Sequence, residues 1–180
     1  MHRRALLVTV CVGLSGLAGC HAVRRTLSGG LDLVGVDSRV HPAAVPYVEG
    51  GVSTGDPWAR FALYRAAPPT EPFTAAGRDA GLSVDDAALE HAVVVLAEVR
   101  NPPQAAAQLE PSPDQRVTWN RWDQLRVPLR RRPVERPESS PTVTTAVMTC
   151  RCPADPASAY VTVESDSGRA WNSFVADAVV

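Results

Sequence analysis

The sequence predicts an all-β fold: an antiparallel β-sandwich of immunoglobulin-like layout, with about seven or eight short strands and at most one or two short helices. Three observations carry this expectation. All 16 prolines lie beyond residue 41, and proline removes a backbone donor and blocks helix interiors. The apolar residues between them are mostly valine, which is stiff at χ1 and suits a pleated sheet. Several segments alternate apolar and polar residues with period two. The long proline-free windows are 20–41, 73–101 and 157–180. A chain of 180 residues, 45% hydrophobic, fits one globular domain rather than two.

The elements follow in chain order. Segments 31–36 and 60–65 read as strands. Asp56-Pro57 also resembles a helix start, with Pro57 at the first helical position, although the Phe61/Leu63 spacing fits a strand equally well. Stretch 65–72 is a Pro-rich connection. Ser83 before Val84-Asp85-Asp86 offers a cap with acid in the first turn, predicting a helix through about His91. Segment 93–99 starts apolar on both faces, as a central strand does. Stretch 101–115 reads as a connection and 116–120 as a strand. In 125–130, Leu125, Val127 and Leu129 share one face and Arg126, Pro128 and Arg130 the other. The proline on the polar face predicts an edge strand. Stretch 132–142 reads as a loop. Segment 143–152 places Ala146, Met148, Cys150 and Cys152 on one side, predicted to face the core. In 159–164, Val161 and Val163 oppose Tyr160, Thr162 and Glu164, and 173–180 closes the set of strands.

Charge narrows the function classes. The 18 basic residues are all arginine, against 19 acids, for a net charge of −1. There is no lysine and no isoleucine, as codon bias in a GC-rich prokaryotic genome produces. The balance excludes a strongly basic nucleic-acid-binding protein and lacks the acidic excess of a salt-adapted surface.

The N-terminus carries an export address. Arg3 and Arg4 precede an apolar stretch, Ala5 to Leu14, too short to span a bilayer, which needs about 20 residues. Leu17-Ala18-Gly19-Cys20 follows. This resembles the lipobox of bacterial-type lipoproteins, and the resemblance implies cleavage before Cys20 and lipidation of its sulfur by an acyl group such as palmitate. Arg3-Arg4 before Ala5-Leu6-Leu7 also resembles a twin-arginine signal, so the general secretory and twin-arginine routes both stay open. The implied organisation is a signal peptide over 1–19, a lipidated cysteine and tether over 20–30, and one sandwich domain over 31–180. Removing residues 1–19 takes away two arginines and no acid, leaving a charge of −3. Arg24-Arg25 beyond the anchor are either headgroup contacts or solvated tether residues. From Phe61 to Glu164 the layout also resembles small uncharacterised β-sandwich lipoproteins of GC-rich, often halophilic, prokaryotes, a family that implies no activity.

Four places hold candidate chemistry. Gly51-Val52-Ser53-Thr54-Gly55 matches the G-x-S-x-G nucleophile elbow, where glycines admit a sharp strand-to-helix turn. His91 is the only histidine after Ser53, and Asp79, Asp85, Asp86 or Glu90 could orient it. A flexible glycine loop is the other reading, and 161 proline-rich residues leave little room for that fold's parallel strands and crossover helices. Cys150 and Cys152 fall on one side of a strand, open to three readings: a short disulfide, two buried free thiols, or half of a soft-metal or redox site. Trp119, Arg121 and Trp122 could form a sugar-binding platform, or Trp119 could pack inward with Trp122 left exposed. Arg130-Arg131-Arg132 with Arg136 is either an anion-binding cluster or a solvated loop.

The functional expectation is a lipid-anchored, non-enzymatic binding or structural module on the outer face of the cytoplasmic membrane, without a cofactor. Its partners would be the membrane, through the lipid, and a protein or cell-envelope polymer. The alternatives are a metal-binding or thiol-redox lipoprotein using Cys150 and Cys152, and a small serine hydrolase using Ser53.

Overall fold

A computed structural model describes residues 31–52, 58–68, 70–84, 92–102, 105–121, 123–135, 141–164 and 170–179. Nine strands and one short helix order along them: β1 (Asp32–Pro42), β2 (Ala59–Tyr64), α1 (Ala75–Asp79), β3 (Ala92–Arg100), β4 (Ala106–Pro111), β5 (Thr118–Arg121), β6 (Gln124–Val134), β7 (Thr142–Arg151), β8 (Ser158–Glu164) and β9 (Ala170–Asp177). They form two sheets. One runs β1-β7-β3-β2; the other runs β4-β6-β8-β9, with β5 also paired to β6. The sandwich is therefore all-β, as its valine-rich alternation predicts.

The core follows the period-two faces. Leu125, Val127 and Leu129 of β6 and Val161 and Val163 of β8 are fully buried against Val95 of β3 and Ala146, Met148 and Cys150 of β7. The side of β7 expected to face the core does so. Burial of such side chains stabilises by about 1.5–3 kcal/mol each for the larger ones. β3 is a central strand buried on both faces. Its outer face, Val94 and Leu96, packs with Ala62, Tyr64 and Val147 under Val48, Phe73 and Leu82, a second core layer outside the first sheet. Helix α1 supports that layer. The Thr74 hydroxyl caps it by accepting from Gly77 N at 3.2 Å and donates to the Pro46 carbonyl at 2.7 Å. Gly77 is required here, because a Cβ would lie 2.3 Å from the Tyr47 carbonyl oxygen.

Several elements depart from the sequence expectations. β4 lies inside the stretch read as a connection, because alanine-rich 105–107 has little β signal; Ala106 and Ala107 are buried by their partners instead. β6 runs to Val134, through the start of the segment read as a loop, and is not an edge strand. Pro128 is tolerated there for a geometric reason. Its carbonyl accepts from Ser112 N at 3.1 Å, just past the last β4 pair, Pro111↔Leu129. The missing N–H faces the break where β4 leaves β6 and before β5 joins it at Thr118↔Arg126. β6 and β8 pair in parallel, since β7 crosses to the other sheet between them. β1 extends to Pro42 against β7. The segment from Ala59 is strand, not helix. The helix expected after Ser83 falls over 85–91, outside the described residues.

One side of the sandwich is closed by the C-terminal residues. Ala178 bridges to Leu63 in parallel, and Val179 N donates to the Leu63 carbonyl at 2.9 Å. Phe174 stacks on Phe61 with centroids 4.4 Å apart and meets Trp58 edge-on at 5.2 Å.

Candidate functional site

The fold places the candidate residues in different environments. Cys150 and Cys152 are free thiols, both buried and both packed into the main core. Cys150 lies between the sheets, and burial, with the neighbouring Cys152 and Asp32 in support, pushes its thiol up to about 12. Burial also raises Cys152, whose Sγ donates to the Ala154 carbonyl at 2.7 Å. Nucleophilic and metal-binding cysteines work as thiolates in electropositive, accessible settings, the opposite of this one. Among the described residues no group of three or more His, Cys, Asp or Glu side chains is placed to hold a metal ion.

Trp119 packs against the core, half-buried, with its indole Nε1 buried and unpartnered among the described residues. The Arg121 backbone pairs with Gln124 across an irregular register; its side chain and Trp122 lie outside the described residues. The arginine run of β6 is divided by the strand. Arg130 pairs with Glu110 and Arg132 approaches the same carboxylate at 3.8 Å, whereas Arg131 donates to Asn101 Oδ1 at 2.8 Å. Arg136 lies outside the described residues, as do Cys20, the lipobox, Ser53 and His91.

The glycine motif around Ser53 has a structural role at its first position. Glu98, at the outer face of β3, is 2% exposed. Its Oε2 accepts from Val52 N at 3.1 Å, and a Cβ on Gly51 would fall 2.3 Å from that oxygen. The chain is in strand again at Ala59. Glu98 also ends a buried polar line that sequence reading missed. His41 Nδ1 lies 3.1 Å from the Pro42 carbonyl, so that nitrogen carries the proton. His41 Nε2 then accepts from the Thr145 hydroxyl at 2.9 Å, and Thr145 Oγ1 lies 3.5 Å from Glu98 Oε1. Thr145 has one proton, which His41 takes. The Glu98 contact is therefore best satisfied when the carboxyl is protonated. Burial agrees, raising Glu98 and lowering His41. The ring of Tyr47 stacks on His41 at 3.8 Å. Thr145 is fully buried, and this line holds loop 43–52 to the sheet.

A second polar group sits on the outer face of the other sheet. Glu164 accepts from the Ser112 hydroxyl at 3.0 Å and from Gln115, and Gln115 Oε1 accepts from Arg126 at 2.8 Å. These bonds pin the loop over 112–117 where Pro128 ends the β4 ladder. Beside that loop, at the start of β1, lies a cleft of about 620 Å³. Its walls are Leu31, Asp32 and Leu33 of the first sheet's edge, Arg151 at the end of β7, Pro111, Gln115, Arg116 and Val117, with Pro128 at the back. A smaller hollow of about 270 Å³ lies by Arg60, Tyr64, Glu71 and Glu98. The larger cleft joins exposed guanidinium groups to an apolar wall, which suits a ligand with an anionic and an apolar part.

Among the described residues no helix is long and apolar enough to cross a membrane. No family model matches the chain, and no curated protein or solved structure is significantly similar to it.

Proposed function

We propose that the protein is a lipid-anchored, extracytoplasmic binding module, held to the outer face of the cytoplasmic membrane through Cys20 and performing no chemistry of its own. The observation that carries this reading is the open cleft of about 620 Å³ beside Leu31, at the end where the chain arrives from Cys20. Eleven residue-to-residue steps separate Cys20 from Leu31, a span of at most roughly 36–40 Å. The cleft thus stays near any membrane that holds Cys20. Sealed thiols and a carboxylate used to pin a loop favour binding over the thiol and hydrolase alternatives. The partner is a membrane component, a protein or an envelope polymer.

Metabolic labelling with a radioactive fatty acid tests the anchor. Wild-type protein is expected to incorporate label and sediment with membranes. The Cys20→Ser variant is expected to remain an unlabelled precursor, because serine lacks the thiol that lipid transfer uses. Equal labelling of both would remove the assignment.

A further inference from the structure

We propose that the cleft at the start of β1 binds an anionic phospholipid, with the phosphate on Arg116 and Arg151 and the apolar part on Leu31 and Leu33. This deepens the binding-module reading and rests on it for the cleft's place beside a membrane.

The arginines supply the first argument. Elsewhere in the sandwich guanidinium groups are engaged: Arg39 with the Ala80 carbonyl, Arg60 with Gly50, Arg78 with Phe73, Arg126 with Gln115, and Arg130 and Arg132 with Glu110. Arg116 and Arg151 differ. Both are exposed, and among the described residues neither has a carboxylate within ion-pair distance. Arg151 lines the cavity from the end of β7 and Arg116 from the loop over 112–117, and guanidinium suits phosphate, offering planar pairs of donors.

The apolar wall supplies the second. Leu31 and Leu33 are half-buried. The β1–β7 register shifts between Leu33 and Gly35, and Val34 at that irregularity is 54% exposed. An exposed valine next to half-exposed leucines, with two arginines that have no ion-pair partner among the described residues, has the mixed apolar and cationic composition of an interfacial surface. The cavity volume is in the usual range for small-ligand sites. Asp32 is the one acid in its wall, and it opposes an anion.

Co-sedimentation with vesicles tests the proposal, using the full chain carrying Cys20→Ser. All proteins then lack the acyl group and share the same N-terminal segment, so the outcome is independent of the labelling experiment. Failure here with successful labelling leaves the anchor standing. Binding to phosphatidylglycerol vesicles is expected to exceed binding to phosphatidylcholine vesicles and to weaken with salt. Adding Arg116→Gln and Arg151→Gln is expected to lower binding to the anionic vesicles by about 30-fold, as two arginines at an anionic surface predict. Asp32→Asn is expected to raise it. Melting temperatures of these variants check folding, and all three side chains are exposed. Unchanged binding by the double arginine variant overturns the proposal. So does full competition by millimolar inorganic phosphate, which would assign the cleft to a soluble anion.

Discussion

At the residue scale, Glu98 is the most informative side chain. It is buried on β3 with a backbone donor on one oxygen and Thr145 on the other. Its raised titration makes the protonated form the better fit. An acid whose folded-state value lies above its unfolded value adds stability below the unfolded value, near 4.5, and loses it as pH rises through the folded value. Glutamine reproduces the protonated geometry, accepting from Val52 N and donating to Thr145. Glu98→Gln is therefore expected to match wild type near pH 4 and to melt higher than wild type at pH 7 to 8. Differential scanning calorimetry across that range checks it, and a variant less stable at pH 8 would falsify the assignment. His41 works the other way, its lowered value drawing stability down as pH falls below 6.5. None of this line was legible in the sequence. His41, Glu98 and Thr145 look unrelated until β1, β3 and β7 are set side by side, and that register is a long-range property. The inward side of Cys150 was legible, because period two alone decides it.

The elements were legible where both faces carry a signal and obscure where a partner supplies the burial. β6 and β8 show their alternation in valine and leucine, β7 shows its inward side in Ala146, Met148 and Cys150, and β3 is apolar on both faces. β4 is Ala-Ala-Gln-Leu-Glu-Pro, and only the β6 register Leu109↔Arg131 gives it a place. Pro128 misled by a general rule that is right about the donor and silent about which neighbour lacks it. β9 is laddered to β8, and a few aromatic contacts fasten it to the other sheet. Phe174 joins it to β2 through Phe61 and Trp58. Phe174→Ala is expected to cost about 2 kcal/mol, less than a fully buried phenylalanine because the ring is half-exposed. Urea denaturation should show it as a lower midpoint with unchanged slope. A change under about 0.5 kcal/mol would mean that the closure rests on the Leu63 backbone bonds instead.

On the scale of the whole molecule, the topology fixes how the chain must assemble. β1 pairs with β7 from Asp32↔Arg151 to Pro42↔Thr142, and β6 and β8 are brought together in parallel across β7. The first sheet cannot be completed until most of the chain is present. Non-local pairing of this kind folds slowly, in milliseconds to seconds. Stopped-flow refolding monitored by tryptophan fluorescence is expected to show its main phase there. Completion within the mixing time would contradict a transition state built on β1–β7 pairing. The fold class was readable because composition and periodicity act on every strand at once. The cleft was not, since it needs Leu31, Arg116 and Arg151 from three separate places in the chain.

The two ends of the sandwich are fastened very differently, and this gives the domain a mechanical polarity. At the carboxyl end, Ala178 and Val179 hold to Leu63 by one bridge and one backbone bond, Ala178 N also donates to the Ala157 carbonyl, and β9 behind them pairs with β8. A pull applied there releases these two residues first and then meets the β8–β9 ladder, which is shorter than that of β1 and β7. A pull through Leu31 meets β1, whose pairing with β7 extends over its whole length, Asp32 to Pro42. Load transmitted from a tether at Cys20 would therefore enter the molecule along its most extensively paired edge. A protein held to a surface by that end can bear drag on its body without its first sheet coming apart.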